Sequence, residues 1–344
     1  MTFADFQMTA ELRTAPEAVR RQEERLLSSV IAALVERLRR KPPQVVVTCA
    51  RGSSAHAATF GKHLIERYLG IVVAAVAPSI TTIYHRRLSM NGQFFLAISQ
   101  SGKSCDLIEQ AVAARQSGAV TACITNDAKS ELARSCEFVL PMEAGPELSI
   151  PATKTFIASL SVLARLTALW AEHEALANAL RRLPDRLAAS SELDWSNLVG
   201  VLTRAESLIT IGRGPTLAIA REAALKLKET SRLHAEAFSA AEFQHGPIAL
   251  VSSNYPIVIF TPTDAAAAGT NQLALNLKAK GAALFATGSN DAPPGQLETL
   301  APDQPETDAI CQIQSFYGMV VRLAAARGIN VDEPLHLQKI TRTR

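Results

Sequence analysis

Apolar residues in this chain are gathered into short, dense runs separated by stretches of helical period. Val45-Val46-Val47-Thr48, Val72–Val76, Phe94–Ile98, Val120–Ile124 and Phe138–Leu140 are runs of this kind. They carry little apolar/polar alternation, as expected of strands covered on both faces. Between them lie helical patterns, one running from the turn Arg51-Gly52-Ser53-Ser54 to about Tyr68 and another starting at Asp106. Strand and helix in strict alternation predict parallel α/β sheets. An Ala/Leu-rich stretch from about Thr153 to Leu180 reads as one long helix. Pro184 and the polar run Ser190-Ser191-Glu192 then suggest a boundary.

The second half repeats the first. Arg213-Gly214 follows the run Leu208–Ile211 as Arg51-Gly52 follows Val45–Thr48. Thr261 follows Val258-Ile259-Phe260 as Ser99 follows Leu96-Ala97-Ile98, and Thr287 ends Ala283–Ala286 as Thr125 ends Ala122–Ile124. The offsets 213−51, 261−99 and 287−125 all equal 162, which argues for a duplicated domain. The expected division is an N-terminal helical segment 1–30, a first domain 31–185, a second domain 193–330 and a tail 331–344.

The chemistry differs between the copies. Ser99-Gln100-Ser101-Gly102-Lys103-Ser104 joins a strand to a helix start, where unpaired N–H groups and the helix dipole favour an anion. Ser99, Gln100, Ser101 and Ser104 add side-chain donors. The spacing is not that of a P-loop or a dinucleotide fingerprint, so the phosphate of a small metabolite suits it better than a nucleotide. A plain helix start capped by serine is the competing reading. Lys103 either supports the phosphate or faces solvent. The matching loop of the second copy, Thr261-Pro262-Thr263-Asp264, loses a donor at proline and gains a negative charge.

That second copy carries a different constellation. Glu222, Lys226 and Glu229 recur at i, i+4 and i+7 on one face of the helix Leu217–Thr230, whose other faces are mostly Ala, Leu and Ile. The stripe is either solvated or a carboxylate–ammonium set lining a cleft. Residues 233–247, LHAEAFSAAEFQHGP, follow at once. Gly246-Pro247 fixes a loop on which His245 can be aimed into a site, whereas His234, between Leu233 and Ala235, reads as a hydrogen-bonded structural histidine. No tight metal-ligand spacing is present.

With 344 residues, 48% of them hydrophobic and 19% charged, the chain fits two globular domains with large buried sheets. A net charge of +3 gives no reason to expect nucleic acid or a membrane as partner. Cys49, Cys105, Cys123, Cys136 and Cys311 form no CxxC pair, as in a reducing compartment. No signal-peptide pattern is visible, and no stretch reads as long and charge-free enough to span a bilayer. A cytoplasmic protein is expected.

Several segments together resemble the sugar-isomerase (SIS) family with two tandem domains, and within it the isomerase part of glucosamine-6-phosphate synthase. They are Met8-Thr9-Ala10-Glu11-Leu12 with Pro16, Gly52-Ser53-Ser54, Ser99-Gln100-Ser101-Gly102, Ala152-Thr153-Lys154-Thr155-Phe156, the 222–229 helix, 233–247, and Asp332-Glu333-Pro334 to Lys339. The resemblance implies an α/β fold of two tandem SIS domains, each a five-stranded parallel sheet flanked by helices in a Rossmann-like three-layer sandwich. It implies that Ser53, Ser54, Ser99, Gln100, Ser101 and Ser104 hold a sugar phosphate, with Gly52, Ile150 and Ala152 touching the sugar. The family has serine at Ala152, so only a backbone contact survives there. Glu229 matches the base moving a proton between C1 and C2, with Lys226 and Glu222 supporting it. His245 matches a ring-opening histidine supplied by the partner of a homodimer, and Lys339 a tail lysine able to form an imine. No cofactor or metal is implied.

These roles suit the chemistry. One carboxylate can take a proton from one carbon and return it to the next, and an adjacent ammonium stabilises negative charge as it develops. Imidazole suits ring opening near neutral pH. The chain reaches the isomerase pattern by about residue 8 and starts Met1-Thr2-Phe3, so no glutaminase activity is expected of it. The favoured expectation is conversion of glucosamine 6-phosphate to fructose 6-phosphate and ammonia. Isomerisation or deglycation of another (amino)sugar phosphate comes next, and a non-catalytic sugar-phosphate sensor third.

Overall fold

A computed structural model describes residues 6–26, 29–288 and 295–339. In chain order the elements are α1 (Gln7–Leu12), α2 (Ala15–Leu26), α3 (Val30–Arg40), β1 (Val45–Ala50), α4 (Gly52–Leu69), β2 (Val72–Ala75) and α5 (Ser79–Thr82). Next come β3 (Phe94–Ser99), α6 (Cys105–Gln116), β4 (Val120–Thr125), α7 (Glu131–Ser135), β5 (Phe138–Pro141), α8 (Lys154–Trp170) and α9 (Glu174–Ser190). The second half adds α10 (Ser196–Leu202), β6 (Ser207–Gly212), α11 (Thr216–Ser231), β7 (His234–Ser239), β8 (Pro256–Phe260), α12 (Ala267–Ala279), β9 (Ala283–Thr287), β10 (Gln296–Leu297) and α13 (Pro305–Ala326).

These elements form two compact units. Of the described residues, one comprises those within 17–147, 154–181 and 338–339, the other those within 6–16, 148–153 and 182–337. The first holds a parallel sheet of order β2-β1-β3-β4-β5, the second a parallel sheet of order β7-β6-β8-β9-β10. Position for position this is one topology used twice, the α/β architecture expected from the alternation of runs. In the first sheet β3 and β4 are buried along their whole length, which is why their runs are continuously apolar. One face packs Phe95, Ala97 and Cys123 against Leu107, Ala111 and Ala114 of α6. In the second, Ile209, Ile211, Ile257 and Ile259 pack against Leu273, Ala274 and Leu277 of α12.

Three expectations need correction. The stretch 153–180 is two helices: α8 stops at Trp170 and the chain turns at Glu172, which takes φ 54°. A left-handed residue cannot continue a right-handed helix. Second, Pro184 ends no helix but lies inside α9, although the division between the two units does fall close by, at 181/182. Third, α13 is long and apolar enough to cross a membrane by length and composition, although 78% of its apolar window is buried within the protein. It is a core helix, packed among others against α11 and α10 of its own unit.

Candidate active site

At the carboxyl end of β3 the loop Ser99–Ser104 is tightly built. Ser99 is buried, and its Oγ accepts the Gly102 N–H at 3.2 Å, while Ser101 Oγ accepts the Lys103 N–H at 3.3 Å. Gly102 has φ 62°, and a Cβ on it would lie 2.1 Å from Ser130 Oγ. Glycine is therefore required twice, by conformation and by space. Ser104 occupies the N-cap position of α6, but its side chain makes no capping bond. The plain capped-helix reading thus loses its main support. Gln100 and Ser101 are half-buried and Lys103 is exposed.

Ser53 and Ser54 stand in the first turn of α4, after Gly52 at φ 52°. The residue before them was not anticipated as part of the site. Arg51 Nε donates to Asp106 Oδ2 at 3.0 Å and its Nη2 lies 2.9 Å from the same oxygen. Asp106 is 2% exposed in the first turn of α6, whereas the Arg51 side chain is 53% exposed. A buried carboxylate thus holds a solvent-facing guanidinium by the hydroxyl loop, a fixed cation that the loop's own motif does not reveal. Asp106 was the available signal, as a carboxylate in an otherwise apolar helix start.

In the other unit, α11 presents the carboxylate–ammonium stripe, and it is not solvated. Glu222 and Lys226 are buried, and Lys226 Nζ lies 3.5 Å from Glu222 Oε1 and in direct ion pair with Glu229 Oε2. Tyr317 of α13 donates its hydroxyl to Glu222 Oε1 at 3.2 Å. Glu229, with 21% of its side chain exposed, is the member that reaches solvent. A buried ammonium shared by two carboxylates, one sealed in and one at the surface, fixes the outer carboxylate in orientation.

After α11 the chain forms β7, an element that the hydrophobic pattern does not predict. His234 at its start is exposed. His245 follows the 3-10 turn Glu242–Gln244, is exposed, and precedes Gly246 at φ 132°.

The remaining segments prove to be tied down by carboxylates. Glu11 accepts the N–H groups of Leu148 and Ser149, the latter at 3.2 Å. It thereby holds the loop that carries Ile150 and Ala152, both half-buried. Asp332 accepts the N–H groups of Gln7 at 2.7 Å and Met8 at 3.0 Å, completing the start of α1. In the unit of the hydroxyl loop, Lys339 Nζ lies 3.4 Å from Glu147 Oε2, and the buried Glu147 also accepts the Thr155 N–H at 3.2 Å and the Thr155 hydroxyl. Among the described residues no group of three or more His, Cys, Asp or Glu side chains could hold a metal ion.

Two copies of one parallel sheet, one bearing a hydroxyl-rich loop and the other a buried ion-paired carboxylate, define a tandem α/β protein. The SIS domain model matches residues 40–169 and 201–326, and the chain belongs to the SIS domain family.

Among its relatives, the glutamine–fructose-6-phosphate aminotransferase (isomerizing) of Sulfurisphaera tokodaii is 33% identical over 289 residues, covering 82% of this chain and 47% of that protein. The Caulobacter vibrioides enzyme of the same name is 31% identical over 311 residues. The chain spans about half the length of the curated relatives it matches. A crystal structure of a candidate phosphosugar isomerase from Silicibacter pomeroyi is 40% identical, with a TM-score of 0.90 over 95% of this chain and all of that one. The C-terminal domain of glucosamine-fructose-6-phosphate aminotransferase from Francisella tularensis is 25% identical, with a TM-score of 0.85 over 96% of this chain and 98% of that one.

Proposed function

We propose that this protein is a phosphosugar aldose–ketose isomerase acting on an amino sugar, converting glucosamine 6-phosphate to fructose 6-phosphate and ammonia. The observation that carries the reading is Glu229, a carboxylate at the surface whose orientation is fixed by the buried Lys226–Glu222–Tyr317 set. The aminotransferase relatives supply the substrate class, since their name pairs an amino group with fructose 6-phosphate.

In this reading Ser53, Ser54, Ser99, Gln100, Ser101 and Ser104 hold the phosphate, and Arg51 adds a fixed positive charge. Ile150 and Ala152, with Gly52, contact the sugar. His245 opens the ring by moving a proton between the anomeric hydroxyl and the ring oxygen. Glu229 then removes the C2 proton, C1 and C2 become doubly bonded, and O1 takes up a proton. Return of the proton to C1 leaves an iminium at C2. Water adds there, ammonia leaves, and the ketose remains. Lys226 stabilises negative charge developing in the enolamine, and Glu222 positions Lys226. Lys339 is the amine that can condense with the ketose carbonyl, releasing water. The exposed turn carrying His245 supports its donation to a partner's site in a homodimer.

Incubation with glucosamine 6-phosphate tests the reading. Ammonia and fructose 6-phosphate should appear in equal amounts. Turnover of another phosphosugar without ammonia would favour a plain isomerase, and binding without turnover a sensor. The shared site is tested by mixing His245→Ala and Glu229→Gln chains. Heterodimers should recover up to about half the activity of wild type, because one site in two keeps both residues. No recovery would place His245 in its own chain's site.

A further inference from the structure

The second unit contains a cavity of about 220 Å³ that the reaction above does not use. It lies at the carboxyl ends of β8 and β9, against Thr261–Asp264, Ala267 and Asn271 of α12, and Gly288, with α9 and α13 closing it. Ligands of open α/β sheets bind at the carboxyl ends of strands. The offset of 162 maps Ser99 to Thr261 and Gly102 to Asp264, so this cavity is the counterpart of the phosphate loop.

Its wall contains an unanswered polar group. Gln312 of α13 is 6% exposed, and its Nε2 donates to Thr261 O at 2.9 Å, which fixes the amide. Its Oε1 is buried and has no hydrogen-bond partner among the described residues. A buried acceptor left unpaired is costly, and a ligand donor would relieve it.

The charges decide the class of ligand. The charge of Arg186 is already answered, its Nη2 donating to Asp308 Oδ1 at 2.8 Å and to Ala301 O at 2.9 Å. Asp308 also accepts the Thr263 hydroxyl at 2.6 Å and the Asp303 N–H at 3.1 Å. Asp264 adds a second carboxylate, and Pro262 has no N–H to offer an anion. Among the described residues the one lining cation, Arg186, has its charge balanced by Asp308, although its buried Nε lacks a hydrogen-bond partner and so calls for a neutral acceptor; hydroxyl and amide groups of Thr261, Ser190, Ser315 and Asn271 line the rest. Its volume corresponds to roughly seven waters.

We infer that the second repeat carries a ligand site of its own, for an uncharged polyhydroxylated molecule of monosaccharide size that donates a hydroxyl to Gln312 Oε1.

Calorimetric titration of the full chain with glucose, and separately with orthophosphate, tests this. Glucose should bind at one site per chain, and orthophosphate should not displace it. Gln312→Leu should weaken glucose about tenfold. Ala267→Phe, which fills the cavity from the start of α12, should abolish binding while the melting temperature is kept. Asn271→Phe, one turn further on and exposed, is the alternative plug if Ala267→Phe does not fold. Ser99→Ala with Ser101→Ala should leave glucose binding intact, which separates this site from the phosphate loop. Absence of glucose binding to the wild-type chain would overturn the inference. So would binding that survives both plugs or that is lost with the serine pair.

Discussion

The loops after β3 and β8 occupy the same place in two copies of one sheet, yet they differ in the donors and charges they carry. After β3 a buried serine, a left-handed Gly102 and an uncapped Ser104 leave donors for an anion. After β8 the counterpart of Gly102 is Asp264, and Pro262 removes an N–H. The helices that follow the first strands differ in the reverse sense. In the first repeat α4 offers the small hydroxyls Ser53 and Ser54, whereas α11 buries Glu222 and Lys226 and brings Glu229 to the surface. Arg51 and Arg213 are counterparts too, but the carboxylate that holds Arg51 is Asp106, and the residue matching it is Ala268. Duplication supplied the frame, and in the proposed reaction a few side chains at strand ends divide the work between anion binding and proton transfer.

That contrast can be broken from either side. The largest effect is expected at Glu229→Gln, which keeps size and polarity but cannot accept a proton. Turnover should fall by roughly 10²–10⁴-fold, with exchange of the C2 hydrogen into solvent lost while substrate still binds. Exchange at the wild-type rate would move the role to another residue.

Gly102→Ala comes next, since it makes the first loop less like itself without adding charge. The new Cβ meets Ser130 in a left-handed conformation. A loss of about 1–3 kcal/mol of stability is expected, with KM raised. Denaturant titration alongside kinetics would show it, and unchanged values for both would mean that the loop is not held as described.

Arg51→Met removes the anchored cation and should raise KM several-fold, less than the serine changes do. Asp106→Asn should produce part of the same effect by freeing the guanidinium. A double-mutant cycle should show the two changes to be non-additive, and additive effects would separate Asp106 from Arg51.

The smallest effects concern the thiols. Cys105, at the start of α6 beside the loop, is exposed, and Cys49, Cys123, Cys136 and Cys311 are buried. Burial pushes Cys49 and Cys311 up to about 12. A disulfide-exchange reagent at mildly alkaline pH should therefore label one thiol quickly, and phosphosugar should slow it. Because these two thiols hold their protons more tightly folded than unfolded, the stability they contribute is present below pH 9 and lost as pH rises toward about 12. Rapid labelling of more than one native thiol would contradict the burial.

Much of the fold was legible because strands buried on both faces carry uninterrupted apolar runs, and because the offset of 162 joins equivalent strand ends. β7 was not, since His-Ala-Glu-Ala-Phe-Ser alternates weakly and lies at a sheet edge where exposed His234 and Glu236 are tolerated. The break at Glu172 was hidden too, because nothing in the residue type signals a left-handed turn. The hydroxyl-rich loop Ser99–Ser104 and the Glu222–Lys226–Glu229 stripe are each compact in sequence and could be found by spacing. The Arg51–Asp106, Glu147–Lys339 and Glu11–Ser149 partnerships join residues far apart in the chain, so only folding reveals them.

The division of labour itself is tested most directly by steady-state kinetics of two variants on glucosamine 6-phosphate. Ser99→Ala with Ser101→Ala should raise KM strongly with kcat largely kept, each lost charge-assisted bond costing about 1.5–3 kcal/mol. Glu229→Gln should collapse kcat with KM nearly unchanged. The opposite split, with the serine pair governing kcat and Glu229 governing KM, would contradict the account.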